Sequence, residues 1–441
     1  MSRFDRRAVL MGGASLALAA GVGPALAQAA PAFPGALGWA ARTPGGRGGR
    51  IIRVTTLASD GPGSLRAAVA EKGPRIVVFE VGGVIDLDRR NIKINEPFLT
   101  IAGQTAPSPG ITLIRGGVGV STHDVVIRHI RVRPGEAGQA KKSGWECDAL
   151  ACDRAHDVIV DHCSLTWATD ENLSASGPRF DGADPDAWRA ATSRGITFSN
   201  NIVAEGLSNA THSKGEHSKG SLIHDNVTEA LVVGNLYSHN RERNPLFKGG
   251  TEGVVTNNFI YDPGKRAVHY NLHAKEWGEH PFQRGRLAVV GNVVQAGPST
   301  LDGLALFQLG GEGELELFAR DNLGLDRTGA PLAVFGRFGD STPGLIEATE
   351  APVWPAGFKA LSASAVKAAV LREAGARPWD RDAVDARIVR EAAEGTGQII
   401  DSEQEVGGYP AYAETRRAFR EADWNLADMS PKRPEVLTAV E

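Results

Sequence analysis

From Arg75 to about residue 335 the chain runs in short apolar stretches: IVVFEV, GVIDL, FLTIAG, ITLIRG, VVIRHIRV, DALAC and VIVDHCSL, then ITFSNNIV, ALVVGNLYS, GVVTNNFIY, LAVVGNVV and LELFARDN. Each has the length and the Val/Ile/Phe content of a β-strand, and turn-forming residues separate them. No long amphipathic helix lies between, which excludes βαβ winding, where every parallel strand needs a helical crossover. Several runs share one form: apolar residues lead into His or Asn, and apolar residues resume. Those positions are His129, His162, Asn201, Asn235, Asn258 and Asn292, separated by 33, 39, 34, 23 and 34 residues. A loose repeat of this kind predicts a parallel β-solenoid whose coils stack their apolar faces, with asparagines hydrogen-bonding along the stack. An antiparallel sandwich would call for tight hairpin signals such as Asn-Gly, which are scarce.

The two ends follow other patterns. Ser64 is placed to cap a short helix, LRAAVAEKG. Beyond about residue 355 the period becomes helical. SASAVKAAVLREAG carries Val366, Ala369, Val370 and Ala374 at helical spacing and stops at Gly375, and DAVDARIVREAAEG stops at Gly395. A solenoid needs cover for its open core, so these helices are expected to pack on it rather than form a domain. At the start, Arg6-Arg7 precede AVLMGGASLALAAGVGPALA, with Ala25-Leu26-Ala27 as a cleavage signal: a twin-arginine leader. The expected division is a leader at 1–27, a solenoid catalytic domain at 28–355 and a helical, irregular tail at 356–441. No later stretch approaches the ~18 apolar residues of a membrane span, so the mature chain is expected to be exported, periplasmic or extracellular, with no membrane attachment.

Composition sharpens this little. Glycine is abundant at 53 of 441 residues and aromatics are 6%, which suits many short strands and tight turns over a helical bundle. A net charge of −4 gives no basic field for nucleic acid. Cys147, Cys152 and Cys163 are odd in number, so they make no disulfide framework, and no fourth ligand completes a zinc site. They read as small buried apolar residues.

Candidate chemistry concentrates between Trp145 and Ser174. Glu146, Asp148, Asp153, Asp157, Asp161, Asp170 and Glu171 lie among short β runs there. In VIVDHCSL, strand alternation puts Val158, Val160, His162 and Ser164 on one face and Ile159, Asp161, Cys163 and Leu165 on the other. Carboxylates beside such apolar residues want water, hydrogen bonds or a cation, and several oxygens at short range suit Ca²⁺. A solvated acidic face is the other reading. Arg241, Arg243 and Lys248 in HNRERNPLFKGG could cradle an anionic substrate, or form a solvated basic turn. HSKGEHSKG, with Lys214 and Lys219, is too polar and glycine-rich for core.

These stretches resemble the pectate lyases, right-handed parallel β-helix polysaccharide lyases. The resemblance covers nearly the whole mature chain: AFPGALGWAARTPGGRGG, DGPGSLR, IAGQTAP, the DAL…VDHCSLTWATDENLS block, HSKGEHSKGSL and RERNPLFKGG. The form DHCS-x-x-W-x-x-DE is most similar to bacterial members. The resemblance implies calcium-dependent β-elimination of polygalacturonate, an acidic plant cell-wall polysaccharide, leaving an unsaturated galacturonosyl end. It implies Asp148 and Asp170 as calcium ligands, with Ser174 where many members carry a third acid and Glu171 beside it. Arg243 in Arg-x-Pro matches the catalytic arginine. Lys248 stands where many members have a substrate-binding arginine, Arg241 flanks the same motif, and either Lys214 or Lys219 matches a substrate-binding lysine. His162 is assigned to the structural ladder. A monomer is expected. A polygalacturonate hydrolase and a non-catalytic uronate-binding solenoid are the alternatives.

Overall fold

The structure, a computed structural model, describes residues 30–438; the leader at 1–27 lies outside them. From Arg75–Phe79 onward the chain winds through three parallel sheets in rotation. A central coil runs His156–Asp161, Ser164–Thr166 and Glu171–Ser176, and the next starts at Arg194–Ser199. Repetition builds sheets of eleven, ten and nine strands, parallel except where Thr415–Arg416 adds antiparallel to the edge of the ten-stranded sheet. This is a parallel β-helix, and its interior is one continuous apolar column from Val54 to Leu317.

The corner between the first two sheets explains a departure from simple alternation. VIVDHCSL is not one strand. It bends at His162, whose φ of +49° is left-handed, and the bend reverses the side-chain parity. Val158 and Val160 face inward before it, and Cys163 and Leu165 after it. The corner recurs at His129, Asn200, Gly234, Asn257 and Gly291, all at positive φ, where Gly and Asn are the residues best tolerated.

The asparagine ladder therefore sits one residue past the corner. Asn201, Asn235, Asn258, Asn292 and Asn322 pass hydrogen bonds from Nδ2 of each to Oδ1 of the next at 2.9–3.1 Å. Cys163 N–H donates to Asn201 Oδ1 at 2.8 Å, so Cys163 and not His162 occupies the ladder's level in its coil. His129 and His162 stack on each other at the corner instead, with ring centroids 5.2 Å apart. The ladder also runs one rung further than expected, to Asn322.

The terminal segments decide which surface stays open. Helix α1 (Leu65–Ala70), capped by Ser64, closes the start of the column. Phe33 and Ala40 cover Val126 and Ile159, while Trp39, Val353, Trp354 and Phe358 cover Leu231, Val254 and Ala288. Phe419, Trp424 and Met429 pack on Ile76 and Val78. Three of these layers blanket the eleven-stranded sheet. Two further helices (Ala363–Glu373 and Ala383–Glu394) lay Val366, Val370, Ile388 and Ala392 against Ile202, Leu236, Phe259 and Val293 of the ten-stranded sheet. Beneath them Arg133 bonds Asp382 at 2.7 Å and Asp385 at 2.8 Å, and Arg131 bonds Asp385 at 3.1 Å. All four side chains are buried. Cys147, Cys152 and Cys163 are free and buried. No helix among the described residues is long and apolar enough to cross a membrane.

Candidate active site

The nine-stranded sheet is the one these layers leave uncovered, and the polar loops entering it carry the candidate residues. Asp148 precedes the strand Leu150–Asp153, Asp170 and Glu171 open Glu171–Ser176, Lys219 opens Lys219–Ile223, and Arg243 precedes Leu246–Lys248. Stacking makes neighbours of residues far apart in sequence: Glu171 pairs with Lys219, and Lys219 with Glu242. Gly220 permits this closeness, since a Cβ there would lie 2.4 Å from the Arg243 carbonyl oxygen.

Asp148, Asp170 and Glu171 offer carboxylate oxygens that all lie within 4.8 Å of one another. Ser174 Oγ donates to Asp148 Oδ2 at 2.6 Å, and the Glu171 N–H donates to Asp148 Oδ1 at 3.1 Å. Burial and the Asp170 charge push the Asp148 carboxyl up to about 7. Burial would raise Asp170 as well, but the hydrogen bond from His217, at 2.7 Å, leaves it below its ordinary value. The Arg243 guanidinium touches Glu171 Oε1. Burial lowers the Arg243 pKa, against the pull of Asp170 and Asp148.

Lys219 is buried on the site sheet in contact with Glu242, whereas Lys214 is exposed in its loop. Of the two lysines, only Lys219 stands beside the acidic cluster. Arg241 turns to Glu216, 2.9 Å away. Lys248 lines a groove of about 270 Å³ with Arg243, but it already contacts Glu276 and lies 3.3 Å from Asp225. Larger cavities, of about 420 and 370 Å³, lie elsewhere on the solenoid and hold none of these residues. Asp161, the other buried acid of the central block, serves the frame: it accepts from Arg128 at 2.9 Å and Ser199 at 2.8 Å.

Several participants escaped the sequence reading. His212 and His217 stack with centroids 3.7 Å apart, both Nε2 atoms toward Asp170 Oδ1. The Lys214 N–H donates to His212 Nδ1 at 3.1 Å, so the neutral ring carries its proton on Nε2, facing Asp170. Glu242 gathers Lys219, Lys265 and Arg266 and is held down to about 2, its burial outweighed by Lys219 above all. The doubled HSKG of the 212–220 loop was the available signal for the histidines.

A cluster of hard carboxylate oxygens, in which the Asp170 charge still pushes the Asp148 carboxyl up, is a donor set that Ca²⁺ would fit. Cations on the adjoining strands could receive an acidic chain, so the arrangement can both bind a polyanion and stabilise developing negative charge.

No family model matches the chain. It is 34% identical over 387 residues to a probable pectate lyase C of Aspergillus flavus, covering 86% of this chain and 81% of that protein. The same figures hold for a probable pectate lyase C of Aspergillus oryzae. The crystal structure of the major allergen from cedar pollen shares the fold at a TM-score of 0.52 and 16% identity, covering 77% of this chain and 92% of that one. A Bacillus subtilis pectate lyase does so at 0.50 and 14%, covering 77% and 96%. Fold, uncovered sheet and sequence kinship define a polysaccharide lyase built on a parallel β-helix. Within that class, identity across most of the Aspergillus proteins shows that the chain belongs to the pectate lyase family. These sequence relatives are fungal and do not support the bacterial kinship expected from the central block.

Proposed function

We propose that the protein cleaves polygalacturonate by calcium-dependent β-elimination, with Arg243 as the base. The observation that carries this is the juxtaposition of Asp148, Asp170 and Glu171, within 4.8 Å, with the Arg243 guanidinium against Glu171. Asp148 and Asp170 would hold Ca²⁺, supported by Glu171 and by Ser174, which fixes the Asp148 carboxylate. Bound there, the ion would neutralise a uronate carboxylate and draw off charge as the C5 proton leaves. His217 and His212 orient Asp170. Arg243 would receive the C5 proton as the glycosidic oxygen at C4 departs. Burial makes its guanidinium less basic than usual, in the direction a base requires. Lys219 adds positive charge beside the reacting unit. In this reading the chain is exported behind a leader at 1–27.

An inverting hydrolase is disfavoured by the same geometry. Inverting glycosidases separate their two carboxyls by ~6.5–9.5 Å to admit a water, and this cluster is tighter. The test is polygalacturonate digestion followed by ultraviolet absorption of the unsaturated product, with chelator and then with added Ca²⁺. New reducing ends without absorbance would mean hydrolysis, and full activity in excess chelator would remove calcium from the reading.

A further inference from the structure

Two groups of cations lie near Arg243, and their charges do not balance alike. Where the strands begin, Lys219, Lys265 and Arg266 share the single carboxylate of Glu242. Three cations on one anion leave two positive charges. Where the strands end, Lys248 and Arg179 meet two carboxylates. Lys248 Nζ touches Glu276 Oε2 and lies 3.3 Å from Asp225 Oδ2, while Arg179 bonds Asp225 at 2.8 Å and Glu276 at 2.6 Å. That square carries no net charge. His224 beside it adds none, because burial holds its pKa down to about 4.

The square is built rather than incidental. Asp225 is fully buried and also accepts the Trp277 indole N–H at 2.9 Å. Trp277, itself buried, anchors the short helix Ala274–Trp277 that carries Glu276. Leu222 pairs with Leu246, so Lys248 is level with His224, five residues past Lys219. At ~3.3 Å per residue the two groups stand ~16 Å apart along the strands; Arg243 is level with Arg266 in the register and lines the groove it shares with Lys248. A uronate chain lying along this sheet spans both.

A free carboxylate can be received at Lys265 and Arg266. At Lys248 it would be the third anion on one ammonium and would lose its hydration without a charge to replace it. A methyl ester brings no charge there and offers only acceptor oxygens. Resting on the uronate-lyase reading above, we infer that the Lys248 end of the cleft receives a methyl-esterified galacturonate unit, and that Glu276 is the specificity-determining residue that turns a free carboxylate away.

The test removes that charge. Glu276 is partly exposed, and Glu276→Gln keeps its size, with Glu276→Ala as a second variant. Hexagalacturonate and its partially methyl-esterified counterpart are titrated by calorimetry in chelator, and kcat/KM is compared on polygalacturonate and partially methyl-esterified pectin. Freed Lys248 and Arg179 should shift the affinity ratio toward the unesterified sugar by on the order of tenfold, and the kcat/KM ratio in the same direction. A ratio within twofold of wild type in both variants overturns the inference. Failure of the lyase reading looks different: no unsaturated product from either polymer, while the affinity ratio still reports on Glu276.

Discussion

The ladder residue Asn258 lends itself to a quantitative test. It is fully buried, and its Oδ1 accepts from the Asn235 backbone N–H at 3.0 Å and from Asn235 Nδ2 at 2.9 Å. Asn258→Ala leaves both donors without that acceptor, in a corner walled by neighbouring coils. Asn235 Nδ2 keeps its second bond, to Phe198 O at 2.9 Å, and Asn292 keeps the Asn258 backbone donor at 3.1 Å. Two donors are orphaned, at about 1–3 kcal/mol each or about 4 kcal/mol together, and the Asn258 Nδ2 bond to Val232 O, at 2.9 Å, is lost with them. Asn322 is the control. It also accepts twice from Asn292, at 2.9 and 3.1 Å, but it is half-buried at the ladder's end, where water can take its place. Asn322→Ala should cost about 1 kcal/mol. Urea unfolding followed by circular dichroism, at unchanged slope, measures both. Equal losses, or a loss under about 1 kcal/mol at Asn258, would refute the view that the ladder's worth lies in buried satisfaction.

Arg243→Lys keeps the charge but not the reach, and should lower kcat on the order of 10²-fold with little change in KM; near-normal turnover would make Arg243 a binding residue. Asp148→Ala should need far more Ca²⁺ for half-maximal rate, and a calcium curve matching wild type would mean that another group holds the ion. His239 is buried with Nδ1 2.8 Å from Asp262 and Nε2 3.5 Å from Glu391; burial lowers its pKa, but these carboxylates, with Glu205 nearby, outweigh it and raise it from 6.5 to about 9. Its contribution of about 3 kcal/mol is whole below pH 6.5 and is lost as pH rises through 9, so wild type and His239→Gln should converge in stability over that window, and a constant gap would count against it. Mass spectrometry of the exported protein should place its N-terminus at Gln28, and an intact Met1 would refute the leader.

The strands were legible because β-branched runs between Gly and Asn turns have one economical outcome. What the pattern hid was parity. One left-handed residue at each corner reverses which side chains face inward, so alternation carried straight through VIVDHCSL misassigned His162, whereas Asn201, Asn235, Asn258 and Asn292 are rungs of the ladder as expected. Asp148, Asp170 and Arg243 were singled out through the resemblance, and the coil stacking brings them near one another. Their partners were not, because ion pairs on a solenoid join coils rather than sequence neighbours. Lys248 meets Glu276 across 28 residues and Arg179 meets Asp225 across 46. Nothing local in HNRERNPLFKGG reveals that Lys248 is already neutralised.

The buried contacts beneath the tail helices bear on the order in which the molecule can be completed. Arg131 and Arg133 leave the ribosome early, yet their carboxylate partners follow about 250 residues later, Arg133 meeting Asp385 across 252. Until then two guanidinium groups bound for full burial must stay in water, and the stripe that receives Val366 and Ile388 stays bare. Breaking such a pair in the finished protein costs ~3–5 kcal/mol. A nascent chain therefore cannot close the ten-stranded sheet coil by coil as it is made. A shortened chain ending near residue 355 would keep nearly all of the solenoid's strands yet be held permanently at that unfinished stage.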